Sequence, residues 1–144
     1  MKNLQSDTRV GAFPVLAGDN LTGKSGFLVV LTHDTGVPEV KLPTAIADLA
    51  LYAVVDEGED AKVVAVMPLE PGRNVRGVLK GTCNPGDKLV LADPGTAADA
   101  GKLRVQPTSA GTYRVLGIAE EKGVDGQFIL FRPAMIGNIT ISGT

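Results

Sequence analysis

The sequence predicts an all-β fold: one compact domain of about ten short strands, closed as a β-sandwich or β-barrel-like body, behind an extended N-terminal arm. Three observations predict it. The chain of 144 residues contains 18 Gly and 9 Pro spread along its length, and both residue types weaken or break helices. Short apolar runs recur between turn signals, the pattern of strands joined by tight connections. The apolar fraction is 44% with only 4 Phe, 2 Tyr and no Trp, so a core must be built from Val, Leu, Ile and Ala. The length is that of a single domain able to bury one core.

In chain order, the strands are expected at 9–17, 27–32, 51–55, 62–67, 74–80, 88–92, 102–105, 113–119, 127–132 and 136–142. Each is a β-prone run bounded by turn chemistry. The separators include Ala17-Gly18-Asp19-Asn20, Asp34-Thr35-Gly36, Glu70-Pro71-Gly72, Asn84-Pro85-Gly86-Asp87, Asp93-Pro94-Gly95 and Asp125-Gly126. Glycine supplies positive φ in such turns and proline presets φ. The segment 43–49 (PTAIADL) is where a single helical turn is expected, because Ala and Leu cluster there without Gly. The segment 93–101 reads as a small-residue loop. No repeat of 20–50 residues is legible, which disfavours solenoids and propellers. The domain division is an arm at 1–14 and a β domain at 15–144.

Charge and cysteine content narrow the function. Fourteen Lys+Arg against 16 Asp+Glu give a formal net charge of -2, which offers no electrostatic footprint for direct nucleic-acid binding. The lone Cys83 forms no internal disulfide and suits synthesis in a reducing compartment. The N-terminus MKNLQSDTR has no apolar h-region, and the aliphatic stretch from Phe27 to Leu31 is too short to span a bilayer. The expectation is a soluble chain made in the cytoplasm, without a membrane partner.

One motif points elsewhere. Gly18-Asp-Asn-Leu-Thr-Gly23-Lys24-Ser25 fits G-x-x-x-x-G-K-[ST], and Leu51-Tyr-Ala-Val-Val-Asp56-Glu57 resembles an apolar strand ending in metal-binding acids. Phosphate loops of that kind run into a helix, whose amides and dipole hold the anion. Here Ser25 is followed by Gly26 and the β-prone Phe-Leu-Val-Val-Leu-Thr. The expectation is a hairpin turn with Lys24 at its exposed tip. His33, the only histidine, is placed at a turn without partners for a triad or zinc site. The acids Asp56, Glu57, Glu59 and Asp60 lack calcium-loop spacing, and Glu120 and Glu121 fall on opposite faces of a strand. In the strand 74–80, Arg76, Val78 and Lys80 share a face read as solvated or interface-facing. No catalytic, metal or cofactor site is expected, and no enzymatic activity.

The second half carries a family pattern: Gly86-Asp87 before the apolar Lys-Leu-Val-Leu, then Gly117-Ile118-Ala119-Glu120, answered by Gly126 before Gln-Phe-Ile-Leu. Together with Ala17-Gly18 and Leu21-Thr22-Gly23 near the start, it resembles the capsid cement, or head decoration, proteins of tailed phages. The resemblance implies a non-enzymatic virion protein on the exterior of an icosahedral capsid. It also implies that the chain binds the major capsid protein, often as a homotrimer at local three-fold positions. The matched motifs are fold-forming turns, so they carry over no binding residues.

Without Trp and with only Tyr52 and Tyr113, a compact anchor-in-pocket interface is poorly supported. An extended arm pairing main chain to main chain, or repetition over many copies, supplies binding instead. The residues expected to contact the capsid are Thr8, Arg9, Val10, Phe13 and Pro14: β-prone, partly apolar, with Pro14 limiting ladder growth. The opposite end, 135–144, is the other candidate, as a swapped or subunit-pairing strand. Two other classes compete: a ligand- or glycan-binding β-sandwich, and a trimeric all-β nucleotide hydrolase. Scarce aromatics count against the first, and the tail Asn138-Ile-Thr-Ile-Ser-Gly-Thr144 lacks the motif of the second.

Overall fold

The structure is a computed structural model and describes residues 11–143. Ten strands follow in order: β1 (Phe13–Ala17), β2 (Leu28–Asp34), β3 (Val37–Lys41), β4 (Tyr52–Asp56), β5 (Val63–Pro68), β6 (Val75–Val78), β7 (Lys88–Leu91), β8 (Leu103–Val105), β9 (Gly111–Ala119) and β10 (Phe128–Ile141). The first five close into a barrel in the order β1-β3-β2-β4-β5, and the last five form a sheet in the order β6-β10-β9-β7-β8. The all-β expectation holds, with the barrel-like closure confined to the first half.

The barrel explains the shortage of aromatics. A five-stranded closure leaves a narrow interior, and it is filled by Val15, Ala17, Val29, Val40, Val54, Val64 and Val66. Leu21, fully buried, enters from the β1–β2 connection and belongs to the same cluster. Phe13 and Tyr52 pack against this cluster and meet edge to face at 5.7 Å between ring centroids.

A second core joins the two halves. Leu28 and Ala53 of the barrel pack with Leu79, Leu89, Leu91, Leu103, Leu116, Ile129 and Phe131 of the sheet half. Backbone bonds cross the same junction: the Gly26 N–H donates to the Val54 carbonyl, and the Val78 N–H to the Gly26 carbonyl. The sheet is also covered on its other face. Successive residues of a strand point to opposite sides, so while Leu89 and Leu91 enter the junction, Val90 packs with Tyr113 and Val115 against Ile46, Ile139 and Ile141.

Four sequence expectations are corrected. Strand β3 lies where none was expected; its ladder with β2 spans Val37 to Lys41 and accommodates Pro38. The two runs 127–132 and 136–142 are one strand, β10, with a register shift between Pro133 and Gly137. Residues 43–49 form no helix; Asp48 Oδ2 accepts the N–H groups of Thr44 and Ala45 and closes a turn, while the only helical element among the described residues is the 3-10 turn Ala97–Asp99.

The fourth correction concerns repeats. Residues 79–91 and 119–131 follow the same path with an offset of 40. Cys83 and Gly123 exchange backbone hydrogen bonds at the crossing. The Gly86 N–H donates to Ala119 and, symmetrically, the Gly126 N–H donates to Leu79, each at 2.8 Å. The Ala119 N–H donates to Asp87 as the Leu79 N–H donates to Gln127, each at 2.9 Å. The two segments are related by a local two-fold, and the shared signature is a Gly followed by an apolar strand.

Candidate docking surface

The phosphate-loop look-alike folds differently from its expected hairpin. β1 and β2 do not pair: β1 lies between β3 and β5. Residues 18–27 cross from one strand to the other with Leu21 buried, and they run into β2 rather than a helix. Their donors are already engaged. The Ser25 hydroxyl donates to the Glu57 carboxylate at 3.1 Å, and the nearby Gly23 amide leads in holding that carboxyl below the usual range. Lys24 is half-buried with its Nζ 4.5 Å above the Phe27 ring, so it is not an exposed tip. The loop thus binds an anion, and that anion is part of the chain.

The other titratable candidates are likewise fold-forming. His33 Nδ1 accepts the Gly36 N–H at 3.1 Å and closes the β2–β3 turn. Glu121 accepts the Leu130 N–H at 2.8 Å and pairs with Arg76 at 2.9 Å; the amide is the larger influence holding its carboxyl below the usual range. Its neighbour Glu120 pairs with Arg132 at 3.4 Å, so the two acids face different partners. Arg76 and Lys80, read as a charged face, are both paired, Lys80 with Asp99 at 3.2 Å. Asp99 escaped the sequence reading. It is the one buried charged residue among those described, clasped by Lys102 at 2.9 Å as well as Lys80. Its signal was an acid in an Ala-rich loop with Lys three residues on. No group of three metal-ligating side chains converges among the described residues, and no helix there is long and apolar enough to cross a membrane.

Apolar side chains also face outward. Of the five residues expected to touch a capsid, Thr8, Arg9 and Val10 lie outside the described residues. Phe13 and Pro14 are strand residues of the barrel, opposite Val66 and Ala65 of β5. The β domain therefore begins two residues before the expected boundary at 15. Phe13 and Pro14 line a groove of about 440 Å³ with Val15, Leu16, Leu31, Pro38 and Val63. The groove lies at one of the two short seams of the barrel wall: β1 and β3 pair only at Leu16–Glu39 and Ala17–Val40. Pro14 and Pro38 flank that short ladder, and neither has an N–H to extend it. Leu31 and Val63 are 42% and 66% exposed there. A second apolar exposure lies at the bend of β10, around Met135 and Ile136. Both are shallow surfaces, the second bordered by the Glu120–Arg132 ion pair, and both are suited to covering by another protein rather than to enclosing a small molecule.

No protein-family model and no curated protein matches the chain. Among solved structures, it is similar to the N base of head fiber gp8.5 in bacteriophage phi29, with a TM-score of 0.65 and 17% sequence identity. The match covers 86% of this chain and 93% of that one, so the likeness extends over barrel and sheet together and is one of fold.

Proposed function

We propose that this chain is a structural protein of a tailed-phage head, docking on the outer surface of the icosahedral capsid and stabilising it as a decoration or cement protein. Its partners on this reading are the major capsid protein and its own copies, as a homotrimer, and it has no enzymatic role. The observation that carries the reading is the fold shared with a phage head-fiber base over nearly the whole chain. The head-decoration pattern at Gly86-Asp87, Gly117–Glu120 and Gly126 supports it independently. So does the condition of the candidate chemical groups: Glu57, Glu120, Glu121, His33 and Asp99 are all bound into turns or ion pairs. The apolar groove of the barrel wall and residues 1–10 before it form the proposed capsid-facing region.

The test is co-sedimentation with undecorated heads built from the major capsid protein of the encoding phage. Full-length protein is expected to pellet with the heads and raise their resistance to heating. A variant lacking residues 1–10 should lose binding while keeping its circular dichroism and melting. That cut spares Phe13 and Pro14, which belong to the barrel. Absence of binding to either unexpanded or expanded heads overturns the proposal.

A further inference from the structure

Strand β10 runs from Phe128 to Ile141, yet β6 covers only Phe128–Phe131 of one edge. Its other edge is paired with β9 as far as Ile141 opposite Gly111. Among the described residues, no strand pairs with the β6-side edge of β10 beyond Phe131. Along this open length, Pro133 faces Gly117 and Gly137 faces Val115, so residues 134–136 all oppose Leu116. The bulge pushes Met135 and Ile136 outward, to 52% and 49% exposure, beside a cleft of about 570 Å³ that also includes Pro71, Ile118 and Pro133.

An open strand edge is a template for pairing, and edges are ordinarily blunted by shortness, charge or proline. The sheet's two end strands follow that rule. β8 has three residues including Arg104, and β6 has four including Arg76. The open part of β10 begins with such devices, Arg132, Pro133 and the bulge, but its length beyond Gly137 has none. Charged residues make up 21% of the chain, yet 133–144 contains none. Beyond Gly137 it reads Asn-Ile-Thr-Ile, a β-prone run without a gatekeeper. A contact with a different partner is steered by complementary charge, which this edge lacks. Identical copies require instead that no like charges meet, and this edge meets that requirement.

We propose that the open edge of β10 pairs with a second copy of this chain, strand to strand, and that Met135 and Ile136 are covered in the assembly. This deepens the assembly part of the proposed function and rests on it for self-association alone; the edge meeting its own copy pairs about a two-fold axis and joins two chains, so a homotrimer needs a further contact. Solution mass reads it separately from capsid binding. The experiment is sedimentation equilibrium of the full-length protein across the micromolar range, beside N138K/T140K and N138E/T140E. Asn138 and Thr140 are exposed, so these changes place charge on the edge without opening the core. The unaltered chain is expected as a multiple of 14.9 kDa. Both double variants should fall to the single-chain mass with unchanged circular dichroism and melting. A monomeric unaltered chain overturns the proposal, as does a multimer that survives both substitutions. If the unaltered chain is monomeric and the variants lose only head binding, the occupant is the capsid and the proposal is wrong, while the proposed function stands.

Discussion

Replacing Gly117 with Ala tests whether the close β9–β10 approach organises the sheet. An added Cβ at Gly117 would sit 2.6 Å from the Arg132 carbonyl oxygen and 2.6 Å from Phe131 Cδ2. The first neighbour is backbone within the β10 ladder, next to the Pro133–Gly117 pair, so it cannot swing aside as a side-chain end would. The second is the fully buried Phe131. Overpacking of this kind costs about 1–3 kcal/mol, and a displaced ladder bond adds about 1 kcal/mol. Alanine recovers about 0.5–1 kcal/mol of the strand penalty of glycine. The net is a loss of about 1–3.5 kcal/mol, or a melting decrease of about 3–14 °C for a domain this size. The assay is thermal and urea unfolding by circular dichroism, with Gly72→Ala as the control. An added Cβ at Gly72 meets nothing within 4 Å, so that variant should melt with the unaltered protein. Equal melting of Gly117→Ala and Gly72→Ala would refute the reasoning.

Three further outcomes are expected. Asp99 is held below the ordinary carboxylate range, first by its hydrogen bond from Lys102 and then, against the opposing effect of burial, by Lys80. Its charge therefore contributes stability above the unfolded carboxylate range, and that contribution is lost as pH falls through the lower folded value. Asp99→Asn should cost about 1–3 kcal/mol at neutral pH, with a gap that closes in strongly acid solution; a gap independent of pH contradicts the assignment. Burial pushes the Cys83 thiol above its ordinary value, so thiol reagents at mildly alkaline pH should label it only after unfolding, and rapid labelling of the folded chain would place it at the surface. Lys24→Ala should lower stability by about 0.5–1 kcal/mol through loss of the contact over Phe27, and ATP should raise the melting of neither form; an ATP-dependent rise abolished by the substitution would restore the phosphate-loop reading.

The strands were legible where a turn was marked by chemistry that admits one conformation. Gly86 and Gly126, at φ 91° and 78°, announce the starts of β7 and β10. Legibility failed where tertiary pairing overrode local signals. Pro38 reads as a strand breaker, but β3 tolerates it beside the short ladder with β1. Residues 133–135 read as a break between two strands, while β9 carries β10 through them by absorbing the extra residues as a bulge. The 40-residue correspondence was hidden because its shared content is backbone geometry: Cys83 and Gly123 are equivalent in path and unlike in side chain. The same limit applies to function. The G-x-x-x-x-G-K-[ST] spacing correctly marks amides that gather an anion, and only the fold reveals that Glu57 supplies it. Asp99 was invisible for a related reason, since Lys80 is far from it in sequence and is brought beside it by the Leu79–Leu103 bridge.

The low aromatic content also gains a physical meaning. It suits the narrow Val-filled barrel, and on the proposed function it leaves shallow apolar surfaces that would gain strength from repetition by copy number rather than from a single pocket. Such a surface gains strength on a lattice, which is the setting the proposed function requires. Under the proposed function, the most direct measurement of that claim is electron cryomicroscopy of phage heads assembled with and without this chain. The account predicts difference density on the outer head surface matching a joined barrel and sheet, with the barrel groove towards the capsid. Identical heads, or density confined to the tail or the head interior, would contradict it.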